Sequence, residues 1–174
     1  MDKPVTIVEY DEAWAMEYQQ EARKVMELLG NKAMDIEHIG STSVLGLGAK
    51  PIIDFMLGVH HLSDADEFIE PLATIGYEYV GHKEFPNRRF FRKGEWRAGT
   101  HHLHIYKYKS DEWNKHILFR DYLRAHSDVR EQYHQLKKSL AERYRYDRAA
   151  YTNAKHPFIT GVIERAKAER RGSN

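Results

Sequence analysis

A glycine followed by hydroxyl-bearing residues is the first part of the chain that could bind a ligand. Gly40 allows a sharp turn of the backbone, and Ser41 and Thr42 are residue types that often begin a helix. The unpaired N–H groups and partial positive charge of a helix N-terminus attract phosphate. Gly40, Ser41 and Thr42 are therefore candidate phosphate-binding residues. The simpler interpretation is a helix cap that binds no ligand.

A single acidic residue interrupts an apolar segment shortly after this turn. Asp54 follows the Lys50-Pro51 break and lies in the predicted strand 52–57, whose other residues are apolar. Aspartate has a poor strand propensity, so something other than local preference must favour it there. The backbone or a nearby cation could satisfy it. Alternatively, the donor-rich turn and the carboxylate lie on neighbouring strands and form the parts of a metal-phosphate site.

Two histidines on a later strand could join this carboxylate. His102 and His104 are two residues apart, so they share one strand face while Leu103 points to the other. With Asp54 they predict a site for a divalent metal ion (Mg, Mn or Zn), and imidazole ligands favour Zn or Mn over Mg. His38, just before the turn, is a candidate fourth ligand. The alternative is a solvated hairpin face or a structural hydrogen-bonded pair.

Two arginines could supply positive charge to the same ligand. Arg120 and Arg124 are four residues apart and share one face of a predicted helix. Paired guanidinium groups can hold a phosphate or carboxylate in forked hydrogen bonds. A solvated helix face, or ion pairs with Asp121 and Asp128, would explain the same spacing.

Longer stretches of the sequence resemble a known family. Residues 37–57 read EHIGSTSVLGLGAKPIIDFML, and the stretches HHLHIY, FRDYLRAH and AYTNAK follow. Between Val8 and Ile163 these blocks resemble the GrpB (UPF0157) family, which has been assigned to the nucleotidyltransferase superfamily. The chain departs from the usual Pro and Ala of that family at Leu45 and Gly48, and neither position touches the predicted chemistry.

The resemblance implies a two-metal reaction centre in which one acid is replaced. Superfamily members typically hold two metals with acids at positions i and i+2 of one strand and a third acid on a later strand, because alternate residues share a face. The resemblance makes Asp54 the first, catalytic acid. Met56 stands at the second position and cannot bind Mg²⁺. His102 and His104 could supply substitute ligands.

The remaining pattern predicts the elements that position these residues. It predicts an extended arm or edge strand at 5–10, strands at 34–39, 52–57, 77–80, 88–92 and 100–106, and helices at 11–29, 63–75, 111–125, from 127 and from 147 past 162. It also predicts a short helix between 41 and 50, a polar loop at 81–87 that could act as a lid, a break or kink near Pro157 and a frayed tail at 164–174.

These elements predict an α/β (α+β) fold. With the resemblance, we expect a nucleotidyltransferase-like sheet that is mixed and mostly antiparallel, with helices packed on it and a helical C-terminal third. No linker divides the chain, so we expect one domain over residues 1–174, with an α/β core at 1–109 and a helical part at 110–170.

The composition limits the class of protein. The 174 residues, 41% apolar and 30% charged, suit a globular domain with a proper core, and a net charge of +1 gives no indication of nucleic acid or anionic membrane as a partner. The absence of cysteine excludes disulfides, cysteine-based zinc sites and thiol catalysis. No apolar run approaches the roughly 18 residues of a membrane span, and no signal-peptide pattern is present, so we expect a cytoplasmic protein.

Two functions fit these observations. The first is metal-dependent nucleotidyl transfer at a site that binds a nucleotide or another phosphate-bearing small molecule. The second is a binding module that retains a nucleotide or serves a protein partner without turnover, because the second acid is missing. The resemblance supports this alternative, since GrpB-like domains also occur fused to dephospho-CoA kinases, where they look like folding or regulatory companions. A purely structural role is a third interpretation.

Overall fold

A computed structural model describes residues 3–95 and 98–173. The strands in these residues are β1 (Asp35–Ile39), β2 (Ile53–Val59), β3 (Tyr77–Val80), β4 (Arg89–Glu95) and β5 (Ala98–Lys107). The α-helices are α1 (Ala13–Leu29), α2 (Ile69–Ala73), α3 (Asp111–Ala125), α4 (Ser127–Arg143) and α5 (Arg148–Gly172). Short 3₁₀ segments cover Gly30–Lys32, Ser41–Ser43 and Leu62–Phe68.

The strands form one sheet in the order β1-β2-β5-β4-β3. The β2–β5 pairing is parallel and the other pairings are antiparallel, which confirms the predicted mixed, mostly antiparallel sheet. The register sets Asp54 of β2 opposite Ile39 of β1 and opposite His102 of β5. Residues directly opposite each other on paired strands point to the same face of the sheet. The register therefore determines which side chains surround Asp54.

One face of the sheet carries the largest apolar cluster. Phe55, Phe91 and Leu103 are fully buried on this face, and α1 covers them through a stripe that includes Trp14 and Val25. Each fully buried Leu or Phe side chain contributes about 1.5–3 kcal/mol to stability. Because Phe55 points into this cluster, its neighbour Asp54 must point to the other face.

The C-terminal helices pack on the sheet, as predicted, and they cover its other face, so helices lie on both faces. Met56 and Tyr106 pack there against Trp113 of α3. A second cluster joins α3, α4 and α5 to the segment after the glycine turn, through Val44 and Leu47. The turn, the sheet face with Asp54 and the helical part are thus brought together.

The segment after the glycine turn differs from the prediction. Ser41–Ser43 form a single 3₁₀ turn, and no helix continues from it to Lys50. Glycines at positions 46 and 48 disfavour a helix, and the N–H and C=O groups of Ala49 hydrogen-bond to Val8 instead. The arm at 5–10 forms this one bridge rather than a strand. The predicted helix at 63–75 is divided into a 3₁₀ segment and the short α2.

The last helix is longer than predicted. α5 continues past Pro157, where a break was expected, and through most of the predicted frayed tail. Val162, Ile163 and Ala166 are buried on one side of α5, and this packing offsets the hydrogen bond that a proline removes. Although α5 has 25 residues, neither it nor any other helix in the described ranges is long and apolar enough to cross a membrane.

Candidate functional site

Asp54 and two histidines lie together on the helix-covered face of the sheet. The parallel pairing of β2 with β5 sets Asp54 opposite His102, and His104 is on the same face one alternation later. The Nε2 atom of His104 lies 3.1 Å from Oδ1 of Asp54, and Nδ1 of His102 lies 3.5 Å from the same oxygen. Burial alone would raise the pKa of Asp54, but hydrogen bonds from both imidazoles outweigh it and hold that pKa well below its usual range. Asp54 is therefore ionised at neutral pH.

The glycine turn lies directly against this carboxylate. Gly40 has a φ of +71°, and a Cβ atom added to it would lie 3.0 Å from Oδ2 of Asp54. The turn is closed by the N–H of Ser43, which donates to the carbonyl of Gly40 at 3.1 Å. A glycine is required here both for its backbone conformation and for the close approach. Ser41 and Asp54 consequently line the same cavity.

His38 does not join this group, which corrects the predicted metal ligand set. In the register His38 is opposite Phe55, so its side chain is on the face away from Asp54. There its ring stacks on Tyr18 with the centroids 4.6 Å apart, and Nε2 lies 2.9 Å from Oγ1 of Thr42. Burial lowers the pKa of His38 to about 4. The neutral imidazole of His38 therefore supports the glycine turn through its contact with Thr42, on the side of the sheet away from Asp54.

Arg120 and Arg124 also differ from the prediction, because their guanidinium groups hydrogen-bond to other groups of the protein and do not point into the space beside Asp54. Arg120 donates from Nη1 to Oε2 of Glu37 at 2.7 Å and to the carbonyl of His38 at 3.1 Å. Arg124 donates from Nε and Nη2 to the carbonyl of Ser43 at 3.0 and 2.8 Å. The predicted phosphate contacts of these two arginines are thus replaced by contacts that fix β1 and the glycine turn.

A lysine from α4 supplies the positive charge at the turn. Lys137 is 2% exposed, and its ammonium donates to Oγ of Ser41 at 2.9 Å and to the carbonyl of Gly48. It also lies 4.9 Å from the centre of the Tyr133 ring. Burial, together with the charges of two neighbouring lysines, lowers the pKa of Lys137 to about 7. Lys137 is consequently only partly charged at neutral pH.

Those two lysines come from other parts of the chain. Lys155 of α5 and Lys50, which precedes β2, lie 4.7 and 5.3 Å from the centre of the same Tyr151 ring. Burial and the charge of Lys50 lower the pKa of Lys155 to about 8, although Asp54 opposes this. Burial also lowers the pKa of Lys50. Lys50, Lys137 and Lys155 are called the lysine cluster below.

A cavity of about 530 Å³ connects the turn, the lysine cluster and the Asp54 group. Its apolar wall comes from α3 and α5 and includes Phe119, Ile159 and Ile163. Near His104, the hydroxyl of Tyr106 lies 3.0 Å from Nε2 of His116. A cavity of this size is typical of small-molecule sites. The lysine cluster lines this cavity together with Ser41, which favours an anionic group beside them.

The arrangement does not fit a metal ion held by the protein alone. Within residues 3–95 and 98–173, no group of three histidine, aspartate or glutamate side chains is placed to hold a metal ion. Met56, at the position of the second acid, is fully buried against Ile39, Tyr106 and Trp113. Mg²⁺ requires near-octahedral oxygen ligands, and Asp54 is a single carboxylate whose Oδ1 already contacts two imidazoles.

Sequence reasoning missed the most buried cation of the site. Lys137 follows Tyr133 by four residues and precedes Leu140 by three, so it lies on the apolar face of α4. A lysine in the middle of an apolar helix face is the signal that could have identified it, because buried lysines require partners. No comparable sequence pattern marks Lys50 and Lys155, since only the folded chain brings these two side chains together.

The chain is similar to proteins of one family over nearly its full length. The sequence profile described as GrpB protein matches residues 4–165. The Glutamate-rich protein GrpB of Alkalihalophilus pseudofirmus is 37% identical over 163 residues, which cover 91% of this chain and 94% of that protein. The crystal structure of the conserved protein GrpB from Enterococcus faecalis has a TM-score of 0.88 and 36% identity, covering 95% of this chain and 99% of the other.

More distant similarities concern larger proteins. The structure of Cid1 in complex with a UTP analogue has a TM-score of 0.54 and 15% identity over 79% of this chain and 43% of that chain. At this identity the likeness shows the fold alone, and the fold is of the nucleotidyltransferase type. A dephospho-CoA kinase of Mycolicibacterium paratuberculosis is 28% identical over 94% of this chain but only 46% of the kinase.

Proposed function

The chain belongs to the GrpB family, and from this premise we propose that its cleft binds a phosphate-bearing small molecule of the nucleotide class. The observation that carries the proposal is the contact of Ser41 with the buried ammonium of Lys137 on the wall of the cavity. Hydroxyl, ammonium and backbone N–H groups of a tight turn are the donors that hold phosphate oxygens. The apolar wall on α3 and α5 would receive the remainder of the ligand.

Nucleotidyl transfer is the reaction that this arrangement would serve. Such chemistry relies on positioning and on stabilising negative charge rather than on covalent work by the protein. The ionised Asp54 could orient an acceptor hydroxyl group, and the lysine cluster could neutralise the departing phosphates. Family membership together with the nucleotidyltransferase-type fold supports this reaction class.

Binding without turnover is the second candidate function. It is favoured by Met56, which is fully buried at the position where the superfamily resemblance expects a second acid. The similarity to part of a dephospho-CoA kinase also favours it, because the same domain there accompanies another unit. Under this alternative the cleft retains a nucleotide or serves a protein partner. Replacing Met56 by Asp would be a poor test, since an unpaired carboxylate in this apolar cluster would destabilise the fold.

The binding proposal is tested by thermal unfolding of the full chain with ATP, UTP or inorganic phosphate. A ligand present at 100 times its Kd should stabilise the protein by roughly 2.7 kcal/mol. Ser41→Ala should reduce this stabilisation because the hydroxyl beside Lys137 is lost. Ser63→Ala is a matched control, since Ser63 is exposed and far along the chain from the turn. If none of the three anions stabilises the protein, the proposal is contradicted.

Turnover separates the two candidate functions. The wild-type protein is incubated with a radiolabelled nucleoside triphosphate and a panel of hydroxyl-bearing acceptors (a sugar, a nucleoside and an oligonucleotide), and release of pyrophosphate is measured with and without Mg²⁺. If the protein is a transferase, Asp54→Asn should abolish release while stabilisation by phosphate remains. If stabilisation by a nucleotide is observed and release does not exceed the spontaneous rate, the protein is a binding module.

A further inference from the structure

We infer that the cleft takes a ligand with two or more linked phosphates and binds it through Lys50, Lys137 and Lys155 without a divalent metal ion. The inference rests on the proposed function and deepens it, because it assigns both the class of ligand and the groups that neutralise its charge. In this site the lysine cluster does the work that metal ions do in the reaction centre that the family resemblance implies.

The three lysines converge on one cavity from separate parts of the chain. The three lysines belong to the segment before β2, to α4 and to α5, yet all three line one cavity that also contains Ser41. Lys50 and Lys155 lie over the same tyrosine ring, and Lys137 contacts the hydroxyl of Ser41. Side chains from three separate elements do not meet by helical or strand periodicity. Their meeting is a property of the folded cleft.

In the described part of the chain, the lysine cluster lacks a carboxylate that would balance its positive charge. Like charges that share a buried site destabilise one another, and among the described residues none of the three lysines forms an ion pair with a carboxylate. Asp54 acts on Lys50 and Lys155 at a distance, but its Oδ1 contacts His102 and His104. The cavity is also lined by Glu112 and Lys115, whose opposite charges cancel. A polyphosphate entering the cavity would supply the negative charge that the lysine cluster lacks.

The side chains of this site fit a divalent metal ion poorly. Phosphate oxygens bound to Mg²⁺ in proteins are usually joined by one or two carboxylates on the same ion. Here the position two residues after Asp54 is the buried Met56, and no three-residue metal group exists in the described ranges. Ammonium groups are strong hydrogen-bond donors to phosphate. Three of them match a diphosphate better than a single phosphate.

The experiment is isothermal titration calorimetry of the 174-residue chain with inorganic pyrophosphate at pH 7, with inorganic phosphate as the comparison. Both titrations are done once in EDTA and once in excess Mg²⁺. We expect pyrophosphate to bind in EDTA at least tenfold more tightly than phosphate. Mg²⁺ should weaken the binding of pyrophosphate or leave it unchanged, because it competes with the lysines for the same oxygens.

Substitutions identify the groups responsible. Lys137→Met and Lys155→Met should each weaken the binding of pyrophosphate at least tenfold. Lys138→Met is the matched control, since Lys138 is the exposed neighbour of Lys137 on α4. This variant should bind pyrophosphate with the affinity of the wild type. Circular dichroism and thermal unfolding confirm that each variant is folded. Lys155→Met remains informative if Lys137→Met does not fold, because Lys155 is only half-buried.

The outcomes separate this inference from the proposed function. If pyrophosphate binds only when Mg²⁺ is present, the lysine inference is wrong and the proposed function stands. The same holds if pyrophosphate binds in EDTA but Lys137→Met and Lys155→Met bind as the wild type does. If neither anion binds and no nucleotide stabilises the protein under either condition, the proposed function itself is wrong.

Discussion

The buried ammonium of Lys137 costs the ligand-free protein stability. Burial lowers the pKa of Lys137 to about 7 in the folded chain, whereas an unfolded lysine has a pKa of about 10.4. Between these two pH values the unfolded state binds more protons, so the free energy of unfolding rises with pH. Below pH 7 both states are protonated and the penalty is constant. A site that destabilises the empty protein is typical of one that is built for a charged ligand.

Lys137→Met should therefore stabilise the empty protein. At pH 7 we expect the free energy of unfolding to increase by roughly 1–3 kcal/mol, after subtraction of the lost hydrogen bonds to Ser41 and Gly48. The gain should shrink as the pH rises towards 10. Urea unfolding at pH 7 and at pH 9.5 measures both values, with Lys138→Met as the control. A loss of stability that is equal at both pH values would contradict the assigned burial cost.

Arg120→Met should have the opposite effect. Arg120 is 8% exposed and joins Glu37 to the carbonyl of His38. Arg120→Met should cost roughly 1–3 kcal/mol, because the half-buried Glu37 carboxylate and the carbonyl of His38 lose their donor, while solvent compensates part of the Glu37 charge. Urea unfolding measures this loss, and Arg23→Met on the exposed side of α1 should be neutral.

The affinity of the Arg120→Met variant for pyrophosphate provides a further check. Because Arg120 binds the protein itself, the folded fraction of this variant should bind pyrophosphate as the wild type does. A stable variant with weakened binding would mean that Arg120 belongs to the site, as its helical spacing with Arg124 first indicated.

At the scale of elements, the glycine turn holds the site together. Gly40 and Gly46 both have positive φ values, of 71° and 81°. A Cβ at position 40 would meet Asp54 at 3.0 Å, whereas no atom lies within 4 Å of a Cβ at position 46. Both glycines therefore have a positive φ, but they differ in what surrounds them. The ψ of −175° at Gly40 also lies in a backbone region that is essentially confined to glycine.

This difference gives a paired prediction. Gly46→Ala should cost about 1–2 kcal/mol from its left-handed conformation alone, and it should leave the binding of pyrophosphate unchanged. Gly40→Ala should cost roughly 2–4 kcal/mol, because crowding of the Asp54 carboxylate is added to the strain of a backbone conformation that is essentially confined to glycine. It should also weaken ligand binding. Equal effects of the two substitutions on unfolding and on binding would refute the close approach of the turn to Asp54.

The alternation of side chains along strands correctly predicted the part of the site that lies on β2 and β5. Asp54, His102 and His104 were expected on one face, and the parallel β2–β5 register places them there. The face on which His38 lies depends also on the register between β1 and β2, which cannot be deduced from the sequence. Arg120 and Arg124 do share a helix face, but periodicity cannot show whether that face meets a ligand or the backbone of β1.

The helical elements show a similar division. The pattern identified α1, α3 and α4 because their apolar residues recur at helical spacing, and it overestimated the breaking effects of Pro157 and of the charged tail on α5. Tertiary packing of Val162 and Ile163 outweighs these local preferences. The lysine cluster depends on how α4 and α5 dock on the segment before β2. No local pattern contains that information, so most of the cationic site could not be predicted.

At the scale of the whole molecule, the cavity lies between the sheet and the C-terminal helices. Its wall takes the turn and Asp54 from one part of the chain, and Lys137 and Lys155 from the other. A ligand held by both parts stabilises the contact between them, since it binds the folded state alone. Amide hydrogen exchange with mass spectrometry should therefore show that pyrophosphate protects the turn at 39–44, α4 near 137 and α5 near 151–155 together.

The exchange pattern should depend on the lysine cluster. In Lys137→Met, at a pyrophosphate concentration that saturates the wild type, the shared protection should be lost at the turn and at both helices, because no ammonium remains to join Ser41 to α4. Lys138→Met should retain it. Protection confined to the polar loop at 81–87, or to α5 alone, would mean that the anion binds outside the cavity. Simultaneous protection of all three segments requires a ligand that spans the two parts of the molecule.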